Sequence, residues 1–128
     1  MQSSFLLLFF LVAFVDCATI SISGHVFCKG NPAVGKVILR EEDSHFLNDD
    51  DELDVAPIDP LTGSFRVKGR EIEWDGLEPY IVVEPDCEKL TKMYPDMDKC
   101  EPSKRVNYSE PSKTDGWKLE NVEIIVCE

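Results

Sequence analysis

The sequence predicts an all-β fold: a two-sheet β-sandwich of about seven strands, stabilised by disulfides. Three observations lead there. Apolar and polar residues alternate with period two over most of the chain, turn residues recur between those stretches, and four cysteines remain once a leader-like amino terminus is set aside.

The leader comes first. Phe5 to Val15 reads FLLLFFLVAFV behind a short polar start, too short to cross a bilayer but the length of a signal-peptide core. Its start carries no Lys or Arg. Cleavage after Cys17 would put Val15 and Cys17 at the small-residue positions, so residues 1–17 are expected to be removed and 18–128 to form one domain of 111 residues. That size supports a real hydrophobic core, which disulfides would reinforce rather than replace. No second apolar segment is long enough for a membrane anchor.

In Ile20 to Cys28, Ile20, Ile22, Val26 and Cys28 share one face, with Ser21, Ser23 and His25 on the other: a half-buried strand. Cys28-Lys29-Gly30-Asn31-Pro32 is a turn, and Val34 to Arg40 a second strand. Glu41 to Asp54 is read as an acidic loop. Asp59-Pro60-Leu61-Thr62-Gly63 is a turn before a short strand at Phe65 to Lys68. Tyr80 to Glu84 is apolar on both faces, as a central strand would be. Arg105 to Ser109 and Leu119 to Cys127 complete the set. No stretch has the period and length of a stable helix, although Glu88 to Met93 suits a single turn.

The charge is −12, or −11 without Asp16. Such a surface argues against nucleic acid and against unaided attraction to anionic membrane, both of which need positive charge. Anionic lipid would be met only through calcium or a local basic patch, read as Lys89, Lys92, Lys99, Lys104 and Arg105, the only such cluster along the chain. Cys28, Cys87, Cys100 and Cys127 in a small exported domain indicate two disulfides, with three pairings open.

The order Gly24-His25-Val26-Phe27-Cys28-Lys29-Gly30-Asn31-Pro32-Ala33, then Lys36-Val37-Ile38-Leu39 and an acidic loop, resembles the nematode transthyretin-like family. Asp59 to Phe65, Glu78 to Val83 and Asp86-Cys87 fit it as well, so the resemblance runs from about residue 18 to 128. It implies a secreted sandwich of the transthyretin (prealbumin) type. The end at Glu128 departs from the family pattern, with no room for a final edge strand. In that topology Cys87 ends a strand whose antiparallel neighbour Cys100 precedes, while Cys28 and Cys127 end two parallel neighbours. The resemblance therefore implies the pairs Cys87–Cys100 and Cys28–Cys127.

Relatives of transthyretin include hydroxyisourate hydrolases, which close their chain with a Tyr-Arg-Gly-Ser motif and use histidines and an arginine around it. This chain ends Ile124-Ile125-Val126-Cys127-Glu128 and has only His25 and His45, so no catalytic residue and no cofactor is assigned. His25-x-x-Cys28 has a ligand-like spacing, but an oxidising compartment would place Cys28 in a disulfide. Glu41 to Asp54 holds eight acids in fourteen positions. Asp49, Asp50, Asp51, Glu52 and Asp54 are its candidates for weak calcium binding, although Asp54 stands where an EF-hand loop begun at Asp49 would need glycine. Asn107-Tyr108-Ser109 is an N-glycosylation sequon, with Asn107 outward if Val106 points inward. Trp74 and Trp117 suit covers over the sandwich ends better than partner anchors. The expected function is that of a secreted, monomeric, non-enzymatic binding or bridging protein for an extracellular protein or lipid ligand. The alternatives are a carrier of a small hydrophobic ligand and a hydroxyisourate hydrolase-like enzyme.

Overall fold

The computed structural model describes residues 17–42, 51–72, 79–108 and 117–128. The leader apart from Cys17, and His45, Asp49, Asp50, Trp74 and Ser109, lie outside them. Eight strands and one short helix follow in order: β1 Cys17–Cys28, β2 Asn31–Pro32, β3 Gly35–Glu41, β4 Asp51–Pro57, β5 Ser64–Ile72, β6 Pro79–Pro85, α1 Cys87–Met93, β7 Lys104–Asn107 and β8 Trp117–Cys127. No helix among the described residues is long and apolar enough to cross a membrane.

The strands form two sheets. In the first, β1 is central, with β5 and the two-residue β2 antiparallel along one side and β8 parallel along the other. The second runs β4-β3-β6-β7, antiparallel throughout. Alternation along each strand decides the inner faces. Ile20, Ile22 and Val26 of β1, Phe65 and Val67 of β5, and Ile124 and Val126 of β8 pack against Val37 and Leu39 of β3 and Ile81 and Val83 of β6. The β1–β2 turn is Lys29-Gly30, both with positive φ (54° and 75°), the backbone of a two-residue hairpin whose twist matches its strands. In the next turn Asp59 Oδ1 accepts from the Leu61 amide at 2.9 Å, and Gly63 (φ 76°) closes it.

Parts of the chain depart from the sequence expectation. The end of the acidic stretch, from Asp51 on, is not loop but the edge strand β4. Leu53, with its side chain packed against the core, is the extra residue at a register shift between Leu39 and Arg40. The turn-forming composition of the segment is overridden because pairing with β3 satisfies its backbone while its acids stay at the edge. Cys87 to Met93 is a seven-residue helix capped by Asp86, whose Oδ1 accepts from the Lys89 amide at 3.0 Å, and Leu90 is its buried residue.

Disulfides join Cys28 to Cys127 (Cα–Cα 4.6 Å) and Cys87 to Cys100 (Cα–Cα 5.8 Å). Cys100 also forms an isolated antiparallel bridge with Cys127, so both crosslinks meet at one end of the sandwich. The Met97 sulfur lies 3.8 Å from Cys28 Sγ there, and the Tyr94 hydroxyl donates to the Pro32 carbonyl at 3.3 Å. Each border between the sheets is closed by a charged side chain. Asp54 Oδ2 accepts from the Lys68 amide at 2.8 Å on the β4–β5 side, and Lys104 Nζ donates to the Ile125 carbonyl at 2.8 Å on the β7–β8 side.

Candidate binding surfaces

Of the calcium candidates, Asp49 and Asp50 lie outside the described residues. Asp51, Glu52 and Asp54 stand on β4, a strand whose alternation separates neighbours onto opposite faces. Asp54 uses both oxygens on backbone amides, Val55 at 2.9 Å and Lys68 at 2.8 Å, and Glu52 pairs with Arg40 at 3.8 Å. Among the described residues no three His, Cys, Asp or Glu converge on a common point. His25 lies on the outer face of β1, its ring 6.0 Å from that of Phe27 and nearly parallel to it, while Cys28 points inward to its disulfide.

Asn107 ends β7 and is exposed, and Val106 beside it packs against the core. Its Oδ1 accepts from Arg105 Nε at 2.9 Å. Trp117 opens β8 at the register position of Ile20.

The expected basic cluster is largely spent on contacts within the protein. Lys92 pairs with Glu88 at 3.8 Å, and Lys104 with Glu101 at 3.8 Å besides its bond to Ile125. Arg105 pairs with Glu42 at 3.3 Å and lies 3.7 Å above the Tyr80 ring. Lys89 and Lys99 alone of the five are in no ion pair among the described residues. Nor is this the only basic grouping. β5 runs to Ile72, well past Lys68, and Arg66, Lys68 and Arg70 alternate along it with buried Phe65 and Val67, so that all three stand exposed on the outer face of the first sheet. Their register neighbours on β1 are Ser23, Ser21 and Thr19, and Ser21 is flanked on its other side by Lys118 of β8. The signal was in the sequence: Arg-x-Lys-x-Arg at strand period. A strand ending at Lys68 would leave Arg70 off the row.

A second surface is the open groove between β7 and β8, of about 1020 Å³, lined by Val106, Tyr108, Val122 and Ile124 and rimmed by Glu101 and Lys104. Burial there raises the Tyr108 phenol above its ordinary pKa, because the phenolate would lose hydration that the groove does not replace.

Comparison with known proteins places this architecture. The family model TTR-52, the transthyretin-like family, matches residues 23–108, from within β1 to the end of β7 and so through strands of both sheets. Transthyretin-like protein 2 of Caenorhabditis elegans is 40% identical over 72 residues, 52% of this chain and 48% of that protein. Transthyretin-like protein 1 of the same organism is 32% identical over 75 residues, 54% of this chain and 47% of that protein. The matched stretch thus spans about half the length of these curated relatives. No solved structure matches the chain. The family match covers most of an all-β sandwich of two sheets held by two disulfides, and the chain belongs to the transthyretin-like family.

Proposed function

We propose that this is a secreted, non-enzymatic binding or bridging protein that works outside the cell. The observation that supports it is how the fold presents its polar chemistry. Among the described residues, charged and hydroxyl side chains are displayed in rows on the outer face of a sheet, as on β5 and β1. Catalysis needs groups that converge on reacting atoms; recognition of a large partner needs groups held apart at fixed spacing. Two disulfides at one end suit such a scaffold to an oxidising compartment.

The test is to express the full chain in cells with a secretory pathway and analyse the medium. The product is expected there with Ala18 as its first residue and without hydroxyisourate hydrolase activity. Immobilised on a support, it is expected to capture from extracellular fluid a partner that free protein competes away. Retention inside the cell, turnover of hydroxyisourate, or no competable partner would each overturn the reading. The β7–β8 groove supports a second reading, a carrier of a small hydrophobic ligand, since its floor is Val106, Tyr108, Val122 and Ile124. A fluorescent apolar probe that failed to bind, or whose binding survived Val122→Lys, would remove it.

A further inference from the structure

We propose that the outer face of the first sheet binds a linear sulfated polysaccharide along the row Arg66, Lys68 and Arg70. This rests on the extracellular binding reading and names the partner class for one of its surfaces.

Alternate residues of a strand stand about 6.8 Å apart, so the three cations form a straight strip some 13–14 Å long. None of them is in an ion pair among the described residues, whereas Lys29, Lys36, Arg40, Lys92, Lys104, Arg105 and Lys118 all are. In so acidic a chain, three adjacent cations without an ion pair among the described residues are an arrangement to be explained. Among the acids with described side chains, Asp54 accepts from the Lys68 backbone amide at 2.8 Å without pairing with its ammonium, Glu120 pairs with Lys118 at 3.4 Å, and Asp59, beyond the Ser64 end of the strand, accepts from the Leu61 amide. Glu123 stands opposite His25, a strand away from the row.

The β1 side chains beside the strip are Thr19, Ser21 and Ser23, small hydroxyls that leave a shallow lane between the β5 cations and Lys118 and can donate to sulfate oxygens. Heads held about 6.8 Å apart do not converge on one small anion, but each can face its own charged group on a repeating chain. Arginine at both ends of the row suits planar, two-pronged recognition of sulfate oxygens. A bilayer is the less favoured anionic partner. An extended charged plane meets the field of the whole protein, with its net −11 after loss of the leader, whereas a single chain meets only the strip within a Debye length of about 8 Å.

The experiment uses the full secreted chain on immobilised heparin. The protein is expected to be retained at about 0.1 M salt. With three cations displacing condensed counterions, affinity should fall on the order of tenfold by about 0.3 M. R66Q/K68Q/R70Q is expected in the flow-through, with the same thermal midpoint as the parent since all three side chains are exposed, while K89Q/K92Q on α1 elutes as the parent does. Should the triple variant misfold, lysine acetylation of the unaltered protein decides: heparin is expected to protect Lys68 and not Lys89. Flow-through of the parent, retention of the triple variant, no protection of Lys68, or binding to phosphatidylserine vesicles without binding to heparin would overturn the proposal. Any of these results with a competable partner still captured would leave the binding reading standing and remove only the polysaccharide.

Discussion

Removing the Cys28–Cys127 crosslink should cost more than removing Cys87–Cys100, by an amount the chain separations set. The first pair is 99 residues apart and the second 13. In the chain-entropy account these loops stabilise by about 4.7 and about 2.9 kcal/mol, a difference near 1.8. The short loop lies inside the long one, but closing it shortens the longer path by so little that the entropic terms shift by only about 0.1 kcal/mol. Cys28 and Cys127 are both buried, so alanine is the replacement that leaves no stranded hydroxyl. The assay is urea unfolding of C28A/C127A and C87A/C100A followed by circular dichroism, with the slope fitted separately for each. The long-loop variant is expected to lose about 4–5 kcal/mol, a large share of the stability of a domain this size, and the short-loop variant about 3. The slope should rise more for the long-loop variant, because its unfolded chain is freed to expand further. If C28A/C127A lost no more than C87A/C100A, the crosslinks would not act through the unfolded chain. A non-reduced peptide map joining Cys28 to Cys87 would show that they are paired otherwise.

Gly24→Ala should be severe, about 3 kcal/mol or more by thermal unfolding, because a Cβ there would fall on the Val122 carbonyl where β8 bulges toward β1. Asp54→Ala should cost about 1–2 kcal/mol by frayed pairing of the sheet border, and Asp54→Asn less, with hydrogen exchange at the Lys68 amide as the local readout. Tyr108 titrates above its ordinary value in the folded protein, so the neutral phenol is the form the groove favours. Its contribution is complete below the normal phenol range and is lost as pH rises above about 10. An absorbance titration at alkaline pH should therefore show a late tyrosine that disappears in Tyr108→Phe. Asn107→Gln in protein from secretory cells should abolish any shift on deglycosidase treatment, since the sequon asparagine is exposed at the end of β7.

What could be read from the sequence follows the period-two signal closely. β1, β6 and β8 were legible because Ile and Val recur on their inner faces, where burial outweighs any local preference. β4 was not. Asp51, Glu52 and Asp54 carry the composition of a loop, and the reasons the segment is a strand lie elsewhere in the chain: the β3 backbone and the Lys68 amide that Asp54 caps. The helix after β6 was only half legible, since Leu90 is its single buried residue, and it is fixed instead by the Asp86 cap and the disulfide at Cys87.

The charged surface was the least legible part, for a reason that reaches beyond this chain. Counted along the sequence, Arg66 to Arg70 already holds three cations in five positions with no acid, against five in seventeen with three acids among them for Lys89 to Arg105, but the count does not say which face they share. On a sheet the neighbours of a side chain are two residues away along its strand and one strand across. Arg66, Lys68 and Arg70 are separated in sequence by Val67 and Gly69, and those two point into the core: Val67 is buried, and a Cβ at Gly69 would come 2.7 Å from Leu53 Cβ. The residues that dilute the cations in the sequence are therefore removed from the face by folding. Lys118, 48 residues beyond Arg70, joins that face through the parallel pairing of β8 with β1. Conversely, Lys92, Lys104 and Arg105 lose their freedom to Glu88, Glu101 and Glu42. A strongly acidic chain can thus carry a free cationic face, because folding sorts charges by strand period and pairing, and net charge records neither.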